Sequence, residues 1–135
     1  MPFNRVSAVV TDDPSDIHTV TRAADIVRVE RGHLFIIYVV KVARSLPLDA
    51  EVEDQISRGE QVLNRSERLA RLPRGDIDTQ LLQAREIGPA VIREAITRDV
   101  DAVVIGASYP RDYGSFSLGK DIPYILEPVS YTHLR

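Results

Sequence analysis

The chain has no cysteine and no tryptophan, one methionine, and lysine only at Lys41 and Lys120. Without thiols, disulfides, thiolate metal sites and cysteine nucleophiles are all excluded, and a reducing compartment is compatible with the composition. Long apolar runs are missing too. The longest, residues 34–40, is about a third of what a membrane-spanning helix needs. The opening Met1-Pro2-Phe3-Asn4-Arg5 lacks the charged-then-apolar pattern of a secretory signal. A soluble, cytoplasmic protein without direct membrane insertion is expected. Nor is there an excess of positive charge: the net charge is -3 and the pI about 5.6. Phosphodiester backbones and anionic lipids meet no broad attraction, so nucleic acid is not an expected partner.

What is present fits a packed domain. A length of 135 residues suits one domain and one core, since typical domains run to roughly 100–150 residues. A hydrophobic share of 44% against a charged share of 27% is far from the regime of disordered chains.

Residues 6–10 are a short apolar run ended by Thr11-Asp12-Asp13-Pro14, which predicts a buried strand entering a loop. Ser15 or Asp16 then caps a helix whose apolar positions Ile17, Val20, Ala24 and Val27 recur at helical spacing, until Arg31-Gly32 supplies a stop. The continuous run 34–40, rich in β-branched and aromatic residues, predicts a second strand covered on both faces. After Pro47, a helix is expected from Asp49 to Leu72, with Val52, Ile56, Val62, Leu63, Leu69 and Ala70 on one stripe and Gly59 as its weak spot. Residues 77–82 are more polar and predict an edge strand. Gly88-Pro89 opens a short helix with Val91, Ile92, Ala95 and Ile96 inward. Residues 102–105 predict a fourth strand, and Asp121-Ile122-Pro123 starts a last short helix through Leu126. The order β-α-β-α-β-α-β-α implies an α/β fold: an open parallel sheet with right-handed crossovers and helices on both faces.

The segment Val104-Ile105-Gly106-Ala107-Ser108-Tyr109, with the later Leu118-Gly119, resembles the signature of universal stress protein domains. That family carries a Gly-x-x-Gly-x9-Gly-Ser/Thr loop between its fourth strand and last helix. Gly106 and Gly119 stand thirteen apart, as the pattern requires, but Tyr109 takes the middle glycine's place and Lys120 the hydroxyl position. The stretches 82–92 and 46–50 resemble the variant attached to some amino-acid transporters. The resemblance runs from Val6 to Leu126 and implies strand order 3-2-1-4(-5), with winding reversing between the first and fourth strands. Ligands of such sheets bind at that reversal, beyond the carboxyl ends of the strands. Asp12-Asp13 and the Gly106 to Gly119 loop would meet there.

The resemblance implies further that Asp12 approaches base and ribose, where a carboxylate accepts from an amine or hydroxyl, and that the Val40 backbone contacts adenine. Read from the residues alone, Asp12-Asp13-Pro14 is equally a turn folding back on its own amides. Gly106 permits close backbone approach to a phosphate, and Gly119 would expose amides at a helix start, although either glycine also serves as a plain turn residue. Lys120 at a helix N-terminus is misplaced by roughly 0.3–1 kcal/mol unless an anion sits there. Tyr109 brings bulk that blocks a triphosphate or lies over the loop. The candidate nucleotide-binding residues are therefore Asp12, Val40, Gly106, Tyr109, Gly119 and Lys120, with ATP or AMP as the ligand.

No metal is expected: His18, His33 and His133 are scattered, and His18 has neither histidine nor carboxylate four residues on. No Gly-x-Ser-x-Gly elbow or Ser-His-acid set marks a hydrolase, so no catalytic residue is assigned. The stretch from Gly114 to Lys120 has Walker-like glycine spacing, but Asp121 replaces the metal-binding hydroxyl residue. A phosphoacceptor receiver is disfavoured because residues 81–84 offer no aspartate. The expected function is a nucleotide-responsive stress module, homodimeric through a sheet edge and associated with a transporter as the variant resemblance implies. The alternative is a protein-interaction module of the same fold. The domain is taken as residues 1–128. Residues 129–135 resemble the translation of a transposase-end sequencing adapter and are read as a non-native tail, with the fifth strand missing or replaced.

Overall fold

The computed structural model describes residues 3–50, 52–106 and the backbone of 124–127. Strand β1, Arg5–Val10, leads into helix α1, Asp16–Glu30, and strand β2, His33–Lys41. Helix α2, Glu53–Ala70, is followed by strand β3, Ile77–Ala84, helix α3, Ile87–Arg98, and strands β4, Ala102–Gly106, and β5, Tyr124–Glu127. The sheet order is β3-β2-β1-β4-β5, and every pairing is parallel. Ala8 lies at its centre, level with Ile36 on one side and Val104 on the other.

Alternating side chains feed two cores, because successive residues of a strand point to opposite faces. On one face Val6, Ala8, Val10, Leu34 and Ile36 pack under α1 and α2, through Val20, Val27 and Val62. On the other, Val9, Phe35, Val103 and Ile105 pack under α3, through Val91 and Ala95. The open parallel sheet with helices on both faces, in the order 3-2-1-4, is the expected fold.

Four local expectations are corrected. The last helix was placed through Leu126, yet Tyr124–Glu127 is a strand that pairs with Val103 to Gly106. The aromatic and β-branched run Tyr124-Ile125 suits a strand, and Pro123 is as compatible with a strand start as with a first helical turn. The fifth position of the sheet is thus occupied, and β4 is not left as an edge. Second, α2 begins at Glu53 rather than Asp49. The Gln83 side-chain amide donates to the carbonyls of Leu48 (3.2 Å) and Ala50 (2.9 Å), holding that stretch as a loop against the end of β3. Third, Ile17 is half exposed, because the inward stripe of α1 runs through Asp16, Thr19, Val20, Ala23, Ala24 and Val27. Fourth, Ile96 is 65% exposed, one step outside the arc of Val91 and Ala95. Each of the three α-helices among the described residues ends on a non-glycine residue in the left-handed region, Arg31 (φ 54°), Arg71 (φ 54°) and Asp99 (φ 56°).

Gly59 is where α2 comes closest to the sheet. A Cβ there would stand 2.7 Å from Tyr38 Cδ2 and 2.8 Å from Leu81 Cδ1. Alanine would favour the helix by about 1 kcal/mol, but overpacking costs about 1–3 kcal/mol, since the planar Tyr38 ring can make room only by moving as a whole. Gly59→Ala is expected to lower stability in urea titration and to shift Tyr38 off its seat; an unchanged midpoint would show that the ring has room to move.

Candidate functional site

Two strand ends dominate the carboxyl rim of the sheet. Winding reverses between β1 and β4, and the crevice outside that point is where open α/β sheets take ligands. Beside it lies a cleft of about 400 Å³ at the ends of β1 and β2. Its walls are Val9, Val10, Val39, Val40 and Ile87, its floor includes Tyr38, and its lip carries Thr11, Lys41, Asp54, Gln55 and Arg58. Apolar walls with a few polar groups at the mouth are what small-molecule sites present.

The loop after β1 is anchored by one carboxylate. Asp16, only 4% exposed, accepts the amide hydrogens of Thr11 (3.1 Å), Asp12 (2.8 Å) and Asp13 (3.2 Å). Burial pushes its carboxyl above the ordinary carboxylate range, and these three amides offset part of that rise. Held this way, Asp12 adopts a left-handed backbone (φ 65°), which aspartate tolerates better than most residues.

Asp12 is not a free acceptor. Arg58 Nε donates to its Oδ2 (2.6 Å) and Arg65 donates to its Oδ1 (3.3 Å). The hydrogen bond from Arg58 holds the Asp12 carboxyl below its usual range, with Arg65 adding to the effect and partial desolvation opposing it. Tyr38 is raised, first by burial and then by the nearby charge of Asp12.

A depressed carboxylate stabilises the fold above its ordinary pKa, and that contribution is lost as pH falls through the folded value. Asp12→Asn is therefore expected to be less stable than the wild type at neutral pH, with the gap closing below about pH 3–4. Urea titrations of both proteins at the two pH values check this; a gap independent of pH would show that the ion pairs contribute nothing.

Of the residues singled out in the sequence, Asp12 and Val40 come together at this rim. Val40 forms part of the cleft wall with its side chain buried, and it pairs in register with Gln83 of β3. Asp12 follows the lip residue Thr11 and is tied to the lip through Arg58. Gly106 closes β4, two positions past the level of Ala8 and Val104, and is not part of the cleft wall. Tyr109, Gly119 and Lys120 lie outside the described residues. Sequence reasoning missed Asp16, Tyr38, Arg58 and Arg65. The seven-residue spacing of the two arginines on one predicted helix was the only signal for them, and nothing in it pointed to Asp12.

Universal stress protein sequences match the chain over residues 2–120. The chain belongs to the universal stress protein family. Solved structures of the family share its fold. The universal stress protein from Archaeoglobus fulgidus in complex with dAMP superposes with a TM-score of 0.71 at 17% identity, covering 94% of this chain and 99% of that one. A family member from Burkholderia pseudomallei gives 0.73 at 17% identity, covering 93% and 96%. A universal stress protein in complex with cAMP gives 0.68 at 16% identity, covering 98% and 100%. None of the curated proteins matches the chain. Among the described residues of this universal stress protein domain, no helix is long and apolar enough to cross a membrane.

Proposed function

We propose that this domain is a nucleotide-binding stress module whose cleft takes an adenine nucleotide. The observation that carries the reading is the place and character of the cleft: apolar walls at the ends of β1 and β2, beside the point where winding reverses, with a carboxylate at its lip. The base would lie between Val9, Val40 and Ile87, using the Val40 backbone, and the ribose would cross the end of β1 at Thr11 and Asp12. The 5′-phosphate would then run toward Gly106 and the segment carrying Tyr109, Gly119 and Lys120. At about 400 Å³ the cleft falls within the range of small-ligand sites and has room for the base and sugar of a nucleotide such as AMP. Relatives solved with dAMP and with cAMP support a nucleotide of this size.

Binding would act as a signal rather than start a reaction, in a cytoplasmic homodimer formed through a sheet edge. Attachment to a transporter would give that signal an output. Calorimetry with ATP, ADP and AMP tests the reading, and micromolar binding of AMP is its expected outcome. No heat at millimolar nucleotide would favour the second reading, a protein-interaction module. The engagement of Asp12 by two arginines is what speaks for that alternative.

A further inference from the structure

We propose that the cleft is specific for adenine nucleotides carrying a second phosphate on the 2′ or 3′ oxygen of the ribose, and that Arg58, with Arg65, is the residue that reads it. The proposal rests on the nucleotide reading above and names its ligand class. With β2, β1 and β4 side by side in that order, a base at the end of β2 and a 5′-phosphate at the end of β4 leave the sugar over the end of β1. Asp12 is the residue waiting there.

In dinucleotide sites of open α/β sheets, either a carboxylate at the sugar accepts from the ribose hydroxyl or an arginine nearby accommodates a phosphate on that oxygen. This chain places both side by side. Arg58 and Arg65 stand two helical turns apart on α2, and both reach the one carboxylate of Asp12. On this rim Arg58, Arg65 and Lys41 are three cations facing the carboxylates of Asp12 and Asp54, while the Asp13 carboxylate turns back to accept from the Ser15 amide. Arg58 engages Asp12 through Nε alone, so its two terminal nitrogens are left for a planar, paired contact with phosphate oxygens, the geometry at which arginine excels.

The rest of the loop keeps the arrangement in place without a ligand. Asp16 fixes the Asp12 amide at 2.8 Å, so the Asp12 carboxylate is delivered to the arginines. A ribose phosphate would take the terminal nitrogens of Arg58 while its Nε and Arg65 keep the Asp12 carboxylate neutralised.

The test is calorimetry on the intact chain with adenosine, AMP, adenosine 2′,5′-bisphosphate and adenosine 3′,5′-bisphosphate. At least one bisphosphate is expected to bind about tenfold more tightly than AMP, as a charge-assisted paired contact allows. Arg58→Ala should abolish that preference, bringing the ratio of bisphosphate to AMP affinity down to about one whatever its effect on AMP itself. The Arg58 side chain is more than half exposed, so the variant should fold, and its melting curve checks that it does. If it does not fold, Arg58→Gln carries the same comparison. AMP binding with no gain from either bisphosphate, or a preference that survives Arg58→Ala, overturns this proposal and leaves the nucleotide reading standing. Failure of all four ligands to bind overturns both.

Discussion

An Asp16→Ala variant is expected to lose about 2–4 kcal/mol of folding stability. The side chain is almost fully enclosed at 4% exposure, and it is the acceptor for three consecutive amides, those of Thr11, Asp12 and Asp13. Each buried donor left without an acceptor costs about 1–3 kcal/mol, less where water can enter, as it can on the outer side of this loop. Asp16→Asn keeps one acceptor oxygen and sets an amino group against amide donors, so it should recover only part of the loss. Urea titration at neutral pH measures both; a loss under about 1 kcal/mol for alanine would mean that water replaces the carboxylate. The pH dependence has the opposite sign to that of Asp12. A carboxyl pushed up by burial binds its proton more readily in the folded state, so this group opposes folding increasingly as pH rises through its raised pKa.

The second large effect is expected at Gly32. A Cβ there would lie 2.1 Å from the carbonyl oxygen of Asn4 and 2.8 Å from its carbon, both backbone atoms. That carbonyl cannot retreat. It accepts from the amide of His33 (2.7 Å) at the point where the pairing of Arg5 with His33 opens the β1–β2 ladder. Gly32 is also committed on its other side, donating to Val27 at the end of α1 (2.8 Å). Gly32→Ala must therefore break the first rung of the central pair or the end of the helix, and overpacking against backbone belongs at or beyond the upper end of the usual 1–3 kcal/mol. A fall in Tm of roughly 10 °C follows for a domain of this size. A variant melting with the wild type would show that β1 can slide outward at no cost.

Periodicity is enough for the first four strands and for most of each helix face, because burial on two sides leaves unbroken apolar strands such as residues 34–40, and burial on one side leaves stripes such as Val20, Ala24 and Val27. It failed where a few polar contacts decide the outcome. The start of α2 depends on Gln83 reaching back from β3 to the carbonyls of Leu48 and Ala50, a contact between residues far apart in the chain that no local pattern encodes. Ile17 was placed inward because it is apolar, yet Asp16 takes the inward position, since the loop amides need an acceptor more than the core needs another side chain. The same limit applied at the rim. A turn such as Asp12-Asp13-Pro14 is legible as a turn, and a family resemblance marks Asp12 for attention. That two arginines on α2 would close on it follows only from how α2 crosses Tyr38, at the spacing Gly59 allows.

The left-handed ends of the helices have a use for anyone reshaping this domain. Glycine adopts that conformation without strain, whereas a residue with a side chain gives up something near 1 kcal/mol to do so. Arg71 and Asp99 each sit in such a place, at helix ends remote from the cleft lip. The domain thus holds a reserve of thermal robustness that can be drawn on with glycine at those ends, leaving room for costly changes around the cleft that the fold would otherwise not survive.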